Sequence, residues 1–303
     1  MKPASFAYHR PAMLDEAFEL LERYGPDGRI LAGGQSLVPA LNMRLATPAA
    51  LIDINRLPGL DRIQLTAEGL VIGALARQEA VEHSPLVARH APLIAQAMPH
   101  VGHLAIRTRG TFGGSLALAD PAAELPACVV ALDATVRAAR RNGVREIPAA
   151  RFFRGIYTTA LEPGEILTEV VVPLTQPGWR SAFEELARRQ GDYALVGLAA
   201  HCRVTDSKIA EARLVLTGVG LAPVRALRAE TALVGRRPDA NVLDEASRAL
   251  DADLDPPTDV HASASLRRHL ARVLLNRVLT RLLETPLTHP SPPPGGEDRG
   301  EGA

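Results

Sequence analysis

The sequence predicts an α+β protein built from two folded domains. Three observations carry that prediction. The first is an alternation of short β-rich runs and amphipathic helical segments at the start of the chain, which reads as a small β-α-β-α-β unit. The second is a change of character after Thr175-Gln176-Pro177-Gly178. Beyond it, apolar β-rich runs over 195–204 and 209–219 flank the turn residues Thr205-Asp206-Ser207, which is the pattern of an antiparallel hairpin. The third is length, since 303 residues at about 150 per domain gives about two domains.

The first helix is expected over 13–24, where Met13, Ala17, Leu20, Leu21 and Tyr24 share one face. Gly25-Pro26-Asp27-Gly28 ends it. A strand over 29–32 runs into Gly33-Gly34, followed by a helix over 35–45 and a strand over 50–54. Strands are expected at 70–75, 134–139 and 166–172, the last stopped by Pro173. Helices are expected at 92–98 and 121–132, each with Pro in its first turn. After the hairpin come helices near 224–234, 242–250 and 263–283. The last places Leu266, Leu270, Val273, Leu274, Val278 and Leu282 on one apolar face. The break in character separates 1–175 from an antiparallel-sheet-and-helix domain at 178–285. Residues 286–303 hold five prolines and four glycines, cannot bury enough surface to offset ordering, and are expected to be a disordered tail.

Lys plus Arg and Asp plus Glu each number 34, so the formal net charge is zero. A balanced chain has no field to hold a polyanion, which argues against nucleic acid or a membrane surface as its main partner. Cys128 and Cys202 cannot by themselves ligate an iron–sulfur cluster, which takes four ligands, and two cysteines make no disulfide framework. They are expected to be buried free thiols in a cytoplasmic protein. The opening residues carry no apolar signal-peptide core. No apolar run reaches the roughly 18 residues of a membrane span. His100 and His103 have no third or fourth ligand at a convincing spacing, so no metal site is expected. Ser36 lacks a G-x-S-x-G elbow, and no residue is assigned as catalytic.

Two glycine clusters stand out. Ala32-Gly33-Gly34-Gln35-Ser36-Leu37 lies on a strand-to-helix turn, and Arg109-Gly110-Thr111-Phe112-Gly113-Gly114-Ser115 forms the second. Adjacent glycines let the backbone approach a ligand without a Cβ in the way. Successive N–H groups then line a concavity suited to phosphate oxygens, to which Ser36, Thr111 and Ser115 add hydroxyls. Taken singly, each Gly-Gly pair also reads as an ordinary tight turn. Neither cluster fits G-x-G-x-x-G or the P-loop, which disfavours a standard Rossmann or NTPase assignment. Two such loops together suit the two sides of a diphosphate.

The first cluster, continued by Val38-Pro39 and Leu41-Asn42-Met43-Arg44-Leu45, resembles the first flavin loop of one family. That family is the FAD-binding medium subunit of molybdenum hydroxylases, of the xanthine dehydrogenase and aerobic carbon monoxide dehydrogenase type. Val101-Gly102-His103 through Ser115 resembles its second loop, and Asp120-Pro121-Ala122-Ala123-Glu124-Leu125-Pro126 continues the match. Phe152-Phe153, Tyr157-Thr158-Thr159-Ala160-Leu161, Pro163-Gly164-Glu165-Ile166-Leu167, Gly191-Asp192-Tyr193-Ala194, Gly218-Val219-Gly220 and Pro223-Val224-Arg225 follow in the family's order. The resemblance spans about residues 4–284.

It implies a vanillyl-alcohol-oxidase-like (PCMH-type) FAD-binding domain over 1–175, with subdomains of about 1–56 and 57–175. The C-terminal domain would be carbon monoxide dehydrogenase flavoprotein-like. It implies that Ala32, Gly33, Gly34, Gln35, Ser36 and Leu37, with Thr111, Gly113, Gly114 and Ser115, cradle the FAD diphosphate. Glu124 would lie near the ribose of the adenosine half, and Val101 and Leu167 would touch the cofactor. Plain core packing remains an equal reading of those two apolar residues, and a solvated helix carboxylate is the other reading of Glu124. His103 would sit near the cofactor. Tyr193 would lie by the isoalloxazine, and Asp192 would tune it by its charge, although Gly191-Asp192 also reads as a turn before a strand. Many relatives carry a lysine just before Gly-Asp-Tyr. This chain has Gln190, with Arg188 and Arg189 as candidates to supply the positive charge.

The function implied is an oxidoreductase subunit that holds FAD non-covalently and relays electrons. They would arrive from [2Fe–2S] clusters on a small partner subunit, after oxidation at a molybdenum cofactor on a large one, in a dimer of heterotrimers. An external acceptor such as NAD or a quinone would receive them. The competing readings are a stand-alone FAD-dependent oxidoreductase and a flavin-free assembly scaffold. Gly114→Val is predicted to abolish flavin retention in a chain that still folds, checked by flavin content beside circular dichroism.

Overall fold

The computed structural model describes residues 1–284, and the predicted tail at 286–303 lies outside them. The opening unit is β1 (Ala7–His9), α1 (Leu14–Tyr24), β2 (Gly28–Leu31), α2 (Leu37–Asn42) and β3 (Ala50–Asp53). Its three strands form a parallel sheet in the order β1-β3-β2, and β3 is buried along its whole length. Helix α2 is shorter than the predicted 35–45, because the chain turns through Arg44 at φ +57°.

The middle unit is a five-stranded antiparallel sheet with helices inserted between its second and third strands in sequence. It begins with β4 (Ile63–Leu65) and β5 (Leu70–Gly73). Six helices follow: α3 (Gln78–Glu82), α4 (Pro85–His90), α5 (Pro92–Ala97), α6 (Leu104–Arg107), α7 (Phe112–Leu118) and α8 (Glu124–Ala131). The unit continues with β6 (Thr135–Arg140), β7 (Gly143–Pro148), α9 (Ala149–Phe152), a two-stranded ribbon of β8 (Phe153–Gly155) and β9 (Thr158–Thr159), and β10 (Ile166–Val172). The sheet order is β4-β5-β10-β6-β7. The helix predicted to start at Pro121 starts at Glu124 instead. The Asp120 carboxylate accepts the Ala122 N–H at 2.9 Å and holds that stretch in a turn.

The C-terminal unit is the antiparallel sheet β11 (Trp179–Ala187), β12 (Ala194–Thr205), β13 (Lys208–Thr217) and β14 (Val224–Arg225), with α10 (Leu227–Leu233), α11 (Ala240–Leu250) and α12 (Ala264–Glu284). Residues 224–225, predicted helical, pair with β13 as β14 before α10 begins. On α12 the buried stripe is Ala271, Leu274, Leu275, Val278, Leu279 and Leu282. It is rotated from the predicted face, so that Leu266 is exposed. No helix of the described residues is long and apolar enough to cross a membrane.

Both faces of the C-terminal sheet are covered, and the strand period of two shows how. Leu198, Ala200 and Cys202 of β12 point to the core under α10–α12. Phe183, Ala199 and Val215 point the other way and join the core of the middle unit, beside Leu125 and Val129 of α8. Polar contacts lock this junction. The Thr217 hydroxyl is fully buried, 2.6 Å from the Pro121 carbonyl and 3.0 Å from the Ala123 carbonyl. The Gly218 N–H donates to Pro121 O at 2.8 Å. Thr217→Val keeps the shape and leaves buried carbonyls short of a donor, so urea unfolding should show a loss of about 1–3 kcal/mol.

Candidate functional site

The site begins where β2 runs out. The chain turns through residues 32–36 into α2, and the Val38 N–H donates to Gly34 O at 2.9 Å to start the helix. Ser36 occupies the N-cap without a side-chain bond. Among the described residues, the amides of Gln35, Ser36 and Leu37 find no internal acceptor. The second loop is tighter. Thr111 caps α7, its Oγ1 accepting the Gly114 N–H at 3.1 Å. The N–H groups of Phe112 and Gly113 go to the carbonyls of Ala76 and Ala74, both at 2.9 Å.

Two of the glycines face protein. A Cβ at Gly33 would lie 2.5 Å from Arg109 O and 2.8 Å from Gly110 Cα, and one at Gly113 would lie 2.5 Å from Ala74 Cβ. Their missing side chains let backbone pack on backbone, which sequence reasoning had assigned to ligand approach. A Cβ at Gly114 would meet Thr111 Oγ1 at 2.5 Å, so valine there disrupts the α7 cap as well as the cleft.

The loops are also stapled by residues that carried no motif signal. Asn55 Nδ2 donates to Ala32 O at 2.8 Å. Arg77 donates through Nη1 to Arg109 O at 2.6 Å and through Nη2 to Asn55 Oδ1 at 2.7 Å. Asp53 accepts from Asn55 and from the Tyr8 hydroxyl. Burial raises the Asp53 carboxyl, but those hydrogen bonds hold it below its ordinary value.

Ala32 to Leu37, Val101, His103, Thr111, Gly113, Gly114, Ser115, Glu124, Leu167, Asp192 and Tyr193 all line one cleft, whereas Arg188 and Arg189, the candidates for the positive charge, are not among its walls. Its volume is about 700 Å³. Leu118, Leu161 and Ile166 add an apolar wall, and Gln78, Asp120, Tyr157 and Glu165 are polar lining the sequence reading did not assign. Gln78 is buried, and its Oε1 has no partner. Glu165 is spoken for by a two-pronged ion pair with Arg145 at 2.9 and 2.6 Å. Burial raises the Glu165 carboxyl, but Arg145, the Glu162 N–H and Arg140 together hold it below its ordinary value.

Glu124, the first residue of α8, is 7% exposed. Burial, with the charges of Glu185 and Asp120 against it, pushes its carboxyl up to about 8. Asp192 behaves oppositely. It accepts the Tyr193 N–H at 3.0 Å and pairs with Arg188 at 3.3 Å, and these interactions hold it below its ordinary value. The Tyr193 ring stands exposed at the rim. Partial burial of its phenol, then Asp120, Glu124 and Asp192, raise its pKa. His103 packs directly under Gly191, where a Cβ would lie 2.5 Å from Nδ1. Among the described residues no group of three or more His, Cys, Asp or Glu is placed to hold a metal ion.

This arrangement forms one cleft at the junction of a two-part α+β domain and an antiparallel sheet domain. Residues 4–175 match the family described as the FAD binding domain in molybdopterin dehydrogenase. Residues 181–282 match the CO dehydrogenase flavoprotein C-terminal domain. The chain is 39% identical to 6-hydroxypseudooxynicotine dehydrogenase complex subunit alpha of Paenarthrobacter nicotinovorans, over 93% of this chain and 96% of that one. Among solved structures it is similar to carbon monoxide dehydrogenase from Hydrogenophaga pseudoflava, with TM-score 0.91, 36% identity, and coverage of 93% of this chain and 98% of the other. Quinoline 2-oxidoreductase from Pseudomonas putida 86 gives TM-score 0.89 at 39% identity, covering 93% and 98%. The chain belongs to the FAD-binding medium-subunit family of the molybdenum hydroxylases.

The residues fit FAD. The cleft volume falls within the range of about 300–1,000 Å³ that cofactor sites occupy. Free amides at 35–37 suit phosphate oxygens. The Glu124 carboxyl suits ligand N–H and O–H groups. Glu124 also makes a pH test. Its raised value favours the fold fully below the ordinary 4.5, and that contribution is lost as pH rises to about 8. The melting advantage of FAD-free Glu124→Gln over the parent should therefore grow as pH is raised from about 5 to about 9. A pH-independent difference would contradict this.

Proposed function

We propose that this chain holds FAD non-covalently and passes electrons from [2Fe–2S] clusters of a small partner subunit to an external acceptor. A large molybdenum-binding subunit carries the substrate chemistry. The observation that carries the reading is the convergence of both glycine loops, Glu124 and Tyr193 on one cleft. Cys128 and Cys202 support it, because both are fully buried and lie in separate cores, which leaves no thiolate set for a cluster on this chain. Buried free thiols also accord with a reducing, cytoplasmic compartment. Assembly as a dimer of heterotrimers is part of the same reading.

Bound FAD supplies the redox chemistry by accepting and releasing electrons. The protein's own residues do the holding. Amides at 35–37 and the hydroxyls of Ser36, Thr111 and Ser115 would engage the diphosphate, and Glu124 would take a ribose hydroxyl. Leu161, Ile166 and Leu167 exclude water from one wall. Asp192 keeps its charge because Arg188 and the Tyr193 amide stabilise it, so it would set a fixed negative potential beside Tyr193.

The test is purification of the native complex through a tag on this chain. Yellow flavin released by acid, with one molybdenum-containing and one iron–sulfur chain co-purifying, is the expected result. A colourless preparation that takes up no FAD would favour a scaffold. A lone chain oxidising an organic substrate would overturn the subunit reading.

A further inference from the structure

We propose that Glu185 and Glu124 hold a single proton between them across the domain junction, and that losing this proton loosens FAD. Glu185 is thereby a positioning residue that acts on the cofactor through Glu124. This rests on the reading of the chain as a holder of FAD.

Glu185 lies on β11 two residues beyond Phe183, and the strand period of two turns both side chains toward the middle unit. Its side chain is 4% exposed. The residue directly opposite on β12 is Gly197, which offers it no side chain. Oε1 stands 3.6 Å from Nδ1 of His100, in the short turn that follows α5. Oε2 is shut off from solvent and has no partner, so it faces protein. Glu124 and Cys128 are four residues apart on α8 and share a face. Both feel the Glu185 charge, which is the strongest charge acting on Glu124. The Glu185 carboxyl is thus set against that face of α8, beside Glu124.

A buried carboxylate oxygen without a donor is costly, and two buried carboxylates side by side do not both stay ionised. One proton on Glu124 answers both conditions, because its O–H can donate to Glu185 Oε2. The other neighbours do not replace it. Asp120 is a third carboxylate, and its charge also raises Glu124. The Cys128 thiol is pushed well above its ordinary value by burial, then by Glu124 and Glu185. Tyr193 feels Glu124 from the other rim, and its phenol is raised as well. Gln96 of α5 and Thr217 of β13 are neutral and already bonded to backbone groups. His100 is the basic neighbour, and with its side chain 35% exposed it gives the pair a route for protons to and from solvent.

Glu124 also lines the cleft, so the state of the pair reaches the cofactor. With one proton the pair carries one negative charge, and the second Glu124 oxygen is free to take a ligand hydroxyl. Release of the proton to water leaves two carboxylates and two charges. They stand beside a cleft that must also accept the negative charges of a diphosphate, and like charges repel.

The experiment titrates FAD into the FAD-free full chain and follows flavin fluorescence across pH. The parent's Kd should rise by roughly fivefold to tenfold between about pH 7 and about pH 9. Glu185→Gln puts an amide N–H in place of the shared proton and fixes the pair at one charge, so its Kd should be the same at both pH values. Glu124→Gln should flatten the profile too, and it serves should Glu185→Gln fail to fold. Infrared difference spectra of the FAD-free chain over the same span read the proton itself. The carbonyl band of a protonated carboxyl should be lost in the parent and show no change in Glu185→Gln. A parent whose Kd or band does not change, or a Glu185→Gln profile as steep as the parent's, would overturn the proposal. Loss of the band in a parent chain that takes up no FAD at any pH would support the acid pair and overturn the FAD reading instead.

Discussion

Gly33 lies so close to the backbone of Arg109 and Gly110 that even one methyl group would have to push the two loops apart. Much of the site depends on that approach. It joins the parallel three-stranded unit to the antiparallel middle sheet at the point where both open into the cleft. Backbone polar groups brought together this way need partners, and Asn55 and Arg77 provide them by bonding the carbonyls of Ala32 and Arg109 and then each other. Burial, with the nearby charge of Arg109, lowers the pKa of Arg77. The side chain accepts that cost because it satisfies a carbonyl from the second loop and the amide that holds the first. The carbonyls are occupied on the protein side, while residues 35–37, whose amides have no internal acceptor, line the cleft.

The segments with strong local patterning were legible from sequence. The 3.6-residue period of α1, the paired β-rich runs of β12 and β13, and the β-rich run of β10 each state their own conformation. The misses have a common cause in tertiary partners. Residues 121–123 carry helix-compatible residues, but Thr217 and Gly218 claim the Pro121 carbonyl and Asp120 turns the chain, so α8 starts three residues later. Val224 and Arg225 pair with β13 because an edge is available there. Strand β7, with exposed Val144 and charged Arg145 and Glu146, shows little apolar content and is made a strand by pairing with β6.

The site divides along a similar line. Motif residues on the two loops and around Glu124 and Tyr193 could be named because the resemblance is local and ordered. The staple of Asp53, Asn55 and Arg77, the unpartnered Gln78 and the Glu165–Arg145 pair could not. Their importance lies in what meets them across long sequence separations, such as the 22 residues between Asn55 and Arg77. The role of Gly33 and Gly113 was misjudged for the same reason. A glycine pair announces that something comes close, and only the fold shows whether that is a ligand or the chain itself.

Three of the four carboxylates that line the cleft show how the fold divides tasks among like groups. Glu165 is committed to Arg145, and Asp192 to Arg188 and the amide that follows it. Glu124 alone is pushed toward its neutral form, by burial and by Glu185 and Asp120. A group in that state can donate to a ligand oxygen when protonated and accept from a hydroxyl when ionised, which the committed pairs cannot do. Its placement comes from the other domain. Thr217 binds the carbonyls of Pro121 and Ala123, the second of which directly precedes Glu124. The C-terminal sheet also delivers Asp192 and Tyr193 to the opposite rim, in the connection between β11 and β12. The domain that contributes neither glycine loop thus fixes the Glu124 carboxyl and supplies the aromatic side chain at the mouth. A cleft built this way requires both domains in register, so the shape of the cleft and the integrity of the domain junction are properties of one structure.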